Sequence, residues 1–159
     1  NSTNFSSKAV YIFEKQKLKL NEYINKINKI ITSFDIDYLE DPLNIDNLSN
    51  NSKIKTDLKA SNRLFSGDID NLKKYAKYFN SVVIKPNEVG TLGRLKKIID
   101  FCKNNDINMI LSQNLGETTE TIVSDLAVGF NFSFVKYCVN EKERAIKLNR
   151  LKRIEEELR

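Results

Sequence analysis

Histidine and tryptophan are both absent from the 159 residues. Without histidine there is no Ser-His-Asp or Cys-His triad, no HExxH zinc site and no imidazole acid–base chemistry. Glycine is scarce, with 5 residues. The richest stretch is merely Val89-Gly90-Thr91-Leu92-Gly93, so no phosphate loop of the usual types is present. No apolar run approaches the ~20 residues of a membrane span. The first residues carry no signal-peptide pattern. Cysteine is limited to Cys102 and Cys138. They fall in separate expected elements, which argues against a disulfide framework and for a reducing, cytoplasmic compartment. With no histidine to activate either thiol, both read as structural cysteines.

What is present suits a packed globule. Apolar residues make up 40% and charged residues 30% of the chain, a balance expected of one domain or most of one. The net charge is +5, from 26 basic and 21 acidic side chains. Basic residues number 13 in each half, with no basic stripe, so a nucleic-acid partner is not expected. Asn, Lys and Ile are abundant, a bias of base composition more than of function. The triplet Asn131-Phe132-Ser133 reads as accidental on that ground.

Strand and helix patterns alternate along the chain. Helical spacing covers 17–32 through Leu20, Ile24, Ile27, Ile30 and Ile31. Ile36-Asp37-Tyr38-Leu39 reads as a short strand ending in Glu40-Asp41-Pro42. Residues 44–61 are polar and read as a surface loop with room for a short helix. Leu64-Phe65-Ser66 reads as a strand stopping at Gly67-Asp68. Leu72, Tyr75, Ala76 and Phe79 make a helix face. Val82-Val83-Ile84 is a buried strand closed by Lys85-Pro86-Asn87. Leu92, Leu95, Ile98, Ile99 and Cys102 form the next helix face. Ile107–Leu111 is a strand followed by Ser112-Gln113-Asn114. A helix over 117–129 turns Ile122, Leu126 and Val128 inward. Phe132–Val135 is a strand reaching Lys136. A last helix starts near Asn140, with Glu143 completing an N-cap signature.

Such alternation predicts βαβ units and a parallel sheet. Five strands fall after residue 35, and Ala9–Phe13 adds a sixth extended segment. No dinucleotide-binding glycine fingerprint follows the first strand. The leading fold class is therefore α/β, a TIM (βα) barrel or part of one, with a doubly wound open sheet as alternative. Each strand ends in a polar or charged group: Glu40 with Asp41, Asp68, Lys85, Ser112-Gln113-Asn114, and Lys136. In a (βα) barrel such ends converge on the face that holds active sites. Loops after strands are polar in any parallel sheet, so a single acid there is ordinarily just solvated. A lysine directly after three β-branched residues is less ordinary, and alternating acid and lysine ends less ordinary again. Carboxylates suit a hard cation such as Mg²⁺. A lysine among other cations, partly desolvated, can act as a base.

Four stretches resemble the C-terminal barrel domain of the enolase family. Tyr38-Leu39-Glu40-Asp41-Pro42-Leu43 looks like its E-D-P segment. Val83–Leu92 is similar to its L-K-x-N-Q-x-G-T segment. Leu111–Thr118 is similar to its S-H-R-S-G-E-T segment, continued by Ile122–Gly129. Asn149–Leu158 is close to its final barrel helix. Order and spacing agree from about residue 4 to 159, which implies about strands three to eight of an incomplete enolase-type TIM barrel, with the family's N-terminal domain lying outside these residues. The resemblance implies a Mg²⁺-dependent lyase interconverting 2-phosphoglycerate and phosphoenolpyruvate. It gives Glu40 and Asp68 as metal carboxylates, with Asn4 at the third metal position. It gives Lys85 as the base and Lys136 as the lysine that binds the substrate carboxylate, and it puts Ser112, Gln113 and Asn114 at the substrate. Positive charge from metal and lysine would stabilise the dianion formed on proton loss.

Departures accompany the resemblance. Asn4 brings no charge where the family has Asp. Gln113-Asn114-Leu115 replaces a His-Arg-Ser trio, and an asparagine cannot stand in for a guanidinium fork. The interval from Asp68 to Lys85 is shorter than usual. Three readings stay open: a divergent enolase with an eroded phosphate site; an inactive enolase-derived subunit or scaffold; an enzyme of the same superfamily acting on a non-phosphorylated carboxylic acid. The expected partner is a small phosphorylated or carboxylate substrate. The exposed barrel edges call for a homodimer or completion by another chain segment.

Overall fold

The structure is a computed structural model that describes residues 5–7, 10–114, 116, 118–138 and 142–159. It separates into two units, one of Asn1–Leu64 with Asp70–Ser81, the other of Phe65–Ile69 with Val82–Arg159.

In the first unit, β1 (Phe5–Ser7), β2 (Val10–Phe13) and β3 (Gln16–Lys19) form an antiparallel meander in that order. The sixth extended segment expected at Ala9–Phe13 is thus the middle strand of a meander. Glu14 and Lys15 both take positive φ and turn the chain between β2 and β3, within two residues. The expected 17–32 helix begins later, as α1 (Leu20–Phe34), because Gln16–Lys19 pairs with β2. Glu22 caps α1 by accepting the Lys19 N–H at 2.8 Å. Tyr11, Tyr23, Ile24, Ile31, Leu43 and Ile54 make the core of this unit, with the Tyr11 and Tyr23 rings stacked at 4.3 Å.

β4 (Tyr38–Glu40) and β5 (Leu58–Ser61) pair in parallel, Glu40 opposite Ala60. A 3-10 helix (Ile45–Lys53) connects them. This corrects the strand expected at Leu64-Phe65-Ser66. Residues 62–67 turn instead, with positive φ at Ser66 and Gly67. The strand lies earlier, within the stretch read as polar loop. Its outward Lys59 hid the pattern, while Ala60 and Ser61 are small enough to be buried against neighbours. Helix α2 (Ile69–Tyr75) follows.

In the second unit, β6 (Ser81–Ile84), β7 (Asn108–Ser112) and β8 (Phe134–Lys136) stand side by side in that order. All four residues of β6 are buried, as are Met109, Ile110, Leu111 and Ser112 of β7. Both faces of these strands are covered, which explains their continuous apolar reading. The short α3 (Pro86–Val89) starts with proline at its first turn. Helix α4 (Leu92–Asn104) is capped by Thr91, whose hydroxyl accepts the Arg94 N–H at 3.2 Å. It buries Leu95, Ile98, Ile99 and Cys102, but Leu92 faces solvent, contrary to expectation. Helix α5 (Ile122–Gly129) likewise buries Ser124 and Ala127 while exposing Ile122 and Val128, expected inward. Helix α6 (Lys142–Glu157) packs against α5. Arg150 crosses from α6 to Asp125 of α5 at 2.7 Å. No helix among the described residues is long and apolar enough to cross a membrane.

Both cores hold acidic protons that resist removal. Burial, and then the neighbouring Tyr11, push the Tyr23 phenol up to about 12, and burial pushes the Cys102 thiol up from 9.0 to about 12. Folded values raised above unfolded ones mean full stability below the unfolded values and loss as pH rises through the folded ones. Each group should lower unfolding free energy by about 1.4 kcal/mol per pH unit between its unfolded and folded values. Urea unfolding from pH 8 to pH 11 should therefore show a stability plateau, then a decline beginning near pH 9. In Cys102→Ala the decline should be shallower.

Candidate functional site

The strand ends of the first unit carry Glu40, Asp41 and Asn62. Tyr38 and Glu40, two apart on β4, share a face. The Tyr38 hydroxyl donates to Glu40 Oε1 at 2.5 Å. Asn62 Nδ2 donates to Glu40 Oε2 at 2.9 Å. Burial first, then the Glu40 carboxylate, push the Tyr38 phenol far above the ordinary range. Asp41 is 4% exposed and takes a left-handed backbone, φ 40°. Its N–H donates to the Ala60 carbonyl. Its carboxylate accepts the backbone N–H groups of Asn62 (3.0 Å) and Arg63 (2.9 Å). Asp41 is thus spent on shaping the turn after β5, and that turn delivers the Asn62 side chain to Glu40.

The strand ends of the second unit carry Lys85, Ser112 and Lys136. Lys85 follows the buried β6 directly and precedes α3. Its Nζ pairs with Glu88 Oε1 at 2.9 Å, and its side chain is 19% exposed. Ser112 and Lys136 are register partners at the parallel ends of β7 and β8. Ser112 is buried, with its hydroxyl donating to the Gln113 carbonyl at 3.1 Å, whereas Lys136 is exposed. With its amide turned so that both ends are satisfied, Gln113 Oε1 accepts the Cys138 N–H (3.2 Å) and Arg144 Nε–H (3.0 Å). Gln113 therefore ties the segment after β8 and the first turn of α6 to the end of β7. Asn114 is half-buried beside it.

Lys147 of α6 is fully buried, and its Nζ donates to the carbonyls of Thr118 (2.7 Å) and Glu143 (3.1 Å). Ser124 donates to the Lys147 carbonyl at 2.8 Å. Lys147 thereby anchors the polar segment after β7 to α6. Nothing in the sequence singled it out, because a lysine in an amphipathic helix ordinarily reads as surface.

Asp68 does not end a strand. It is exposed, in a turn where its N–H donates to the Phe65 carbonyl at 2.9 Å. The residue directly past β5 is Asn62, which the sequence reading passed over. Asn4 lies outside the described residues. Among the described residues, no group of three or more His, Cys, Asp and Glu side chains is placed to hold a metal ion.

Residues 4–159 match the family described as the enolase C-terminal TIM barrel domain. The enolase of Sulfurisphaera tokodaii is 32% identical over 161 residues, covering 97% of this chain and 39% of its own length. The enolase of Archaeoglobus fulgidus is 32% identical over 92% of this chain and 38% of its own. That of Methanosphaera stadtmanae is 34% identical over 95% of this chain and 38% of its own. The chain thus spans about two fifths of the length of the curated relatives it matches.

Two glycines next to Lys85 separate backbone strain from crowding. Both have positive φ, 72° at Gly67 and 86° at Gly90. A Cβ at Gly67 would sit 2.8 Å from the Glu88 carbonyl carbon, whereas at Gly90 nothing lies within 4 Å. Gly90→Ala should cost about 1 kcal/mol, the strain of φ alone. Gly67→Ala should cost at least about twice that, because the Glu88 backbone has to shift. Urea midpoints of the two variants check the order.

Proposed function

The chain belongs to the enolase C-terminal TIM barrel family, and from that premise we propose that the protein containing it is a divergent enolase-type lyase of the cytoplasm. The proposed reaction interconverts 2-phosphoglycerate and phosphoenolpyruvate. The observation that carries this reading is Lys85, set directly behind a fully buried strand, with Lys136 at the end of another strand of the same sheet. Lys85 Nζ takes the proton from the carbon alpha to the carboxylate. Lys136 pairs with that carboxylate as charge builds on it. The hydroxyl on the next carbon leaves as water, with a proton from an acid elsewhere in the protein. Glu88 must yield its hold on Lys85 as substrate arrives. Ser112, Gln113 and Asn114 face the rest of the substrate, with Gln113 offering its amide N–H rather than its oxygen. A homodimer or another segment of the protein completes the barrel edges.

Mg²⁺ is the cofactor that goes with this reaction, as a Lewis acid on the substrate carboxylate. The described donors do not fit a tight site for it. Glu40 has both oxygens held by neutral donors, and the next strand end offers the Asn62 amide. Asp68 is proposed no further as a strand-end ligand.

A second reading rests on that donor set, together with the commitment of the Gln113 oxygen to Cys138 and Arg144. It is an enolase-derived subunit that no longer turns over. Phosphoenolpyruvate formation by the full-length protein at saturating Mg²⁺ decides between the two. The lyase reading predicts turnover, reduced about 10²–10⁴-fold in Lys85→Ala, the range expected for loss of a general base. It predicts a raised KM in Lys136→Ala. No turnover by the folded wild-type protein would overturn it in favour of the second reading.

A further inference from the structure

At the end of β4 the negative charge of Glu40 already has hydrogen-bond donors on both oxygens. One oxygen takes the Tyr38 hydroxyl and the other takes the Asn62 amide N–H. Asn62 holds this orientation at a cost. Its Oδ1 is buried and has no hydrogen-bond partner among the described residues, a state that is destabilising for an amide oxygen. The amide therefore accepts an orphaned oxygen in order to keep its N–H on Glu40. A charged acceptor makes the stronger bond, which explains the choice. The neighbouring carboxylate, Asp41, is unavailable, since both of its oxygens accept backbone N–H groups of the following turn.

We infer that Tyr38, Glu40 and Asn62 form a self-satisfied cluster in which two neutral donors occupy the place of a divalent cation, and that Asn62 is the residue that removes the cation requirement. With an aspartate at 62, two carboxylates would face each other at the ends of β4 and β5, and like charges that close are relieved by a cation or a shared proton between them. With asparagine the repulsion becomes a hydrogen bond. The fold at this point then needs no metal, and metal gains little by binding. This goes beyond either reading of the function, since it concerns what holds the two strand ends together.

The test uses the full-length protein and two readouts that do not depend on turnover: Mn²⁺ titration followed by electron paramagnetic resonance, and thermal unfolding with and without Mg²⁺. The wild-type protein should show no Glu40-dependent Mn²⁺ site, with the same free Mn²⁺ signal in wild type and Glu40→Gln. Its unfolding midpoint should not move on adding Mg²⁺. Asn62→Asp should unfold at lower temperature without Mg²⁺ and recover when Mg²⁺ is added, since a ligand bound only by the folded state raises its stability. Its Mn²⁺ affinity should exceed that of wild type by at least about tenfold. Should Asn62→Asp fail to fold without Mg²⁺ but fold with it, the inference gains the same support. If it folds in neither condition, the wild-type and Glu40→Gln titrations decide alone. A wild-type Mn²⁺ site that Glu40→Gln abolishes, or an Asn62→Asp protein indifferent to Mg²⁺, would overturn the inference. Neither result bears on whether Lys85 removes a proton, so this inference and the lyase reading fail separately.

Discussion

The Asp41 carboxylate is the hinge of the first unit's strand ends. It follows β4 in a left-handed conformation and turns its two oxygens onto the backbone of Asn62 and Arg63. Two charge-assisted hydrogen bonds to one turn leave that turn little freedom. The parallel register sets Glu40 opposite Ala60, and Asp41 then bends the chain after β5 so that Asn62 reaches Glu40. The Glu-Asp-Pro segment thus divides its labour: the aspartate builds the turn and the glutamate faces the site. Pro42 and Leu43, both buried, fix the direction in which the chain leaves.

The second unit works by a different constraint. Its strands β6 and β7 are covered on both faces, and their charged and amide groups gather at the ends. Lys85 begins where β6 stops being covered, and Pro86 forces the chain into a new element at once. The Glu88 ion pair holds Lys85 at the end of this strand. On the far side of β7, Gln113 and Lys147 act as ties. One gathers Cys138 and Arg144, the other holds Thr118 and Glu143 from inside the unit. A polar segment with few apolar anchors is kept in place by buried donors.

Much of this was legible in the residues. Val82–Ile84 and Met109–Leu111 announce covered strands because each is an unbroken apolar run. Glu40, Lys85 and Lys136 are legible because each directly follows an apolar run. Other features were hidden for physical reasons. Periodicity marks Val10–Phe13 as extended but cannot distinguish a parallel strand from a meander strand. β5 was missed because its burial falls on Ala60 and Ser61, while the more apolar Leu64-Phe65 lies in a turn. Asn62 escaped notice with it, since an amide after a polar stretch reads as loop. Ile122 and Val128 misled because hydrophobicity marks candidates for burial, and the neighbouring helix decides which are covered. The family resemblance carries most of the functional weight, since periodicity and burial assign no role to a lysine or a carboxylate.

The proposed lyase reaction requires Lys85, presented by the end of β6, to abstract a proton alpha to a carboxylate. The direct measurement is exchange of the C2 proton of 2-phosphoglycerate with deuterium in D₂O, followed by NMR with the full-length protein. Exchange reports proton removal even where elimination is slow. The account predicts exchange with the wild-type protein and none with Lys85→Ala. Exchange that persists in Lys85→Ala, or none in the wild-type protein with substrate bound, would contradict it.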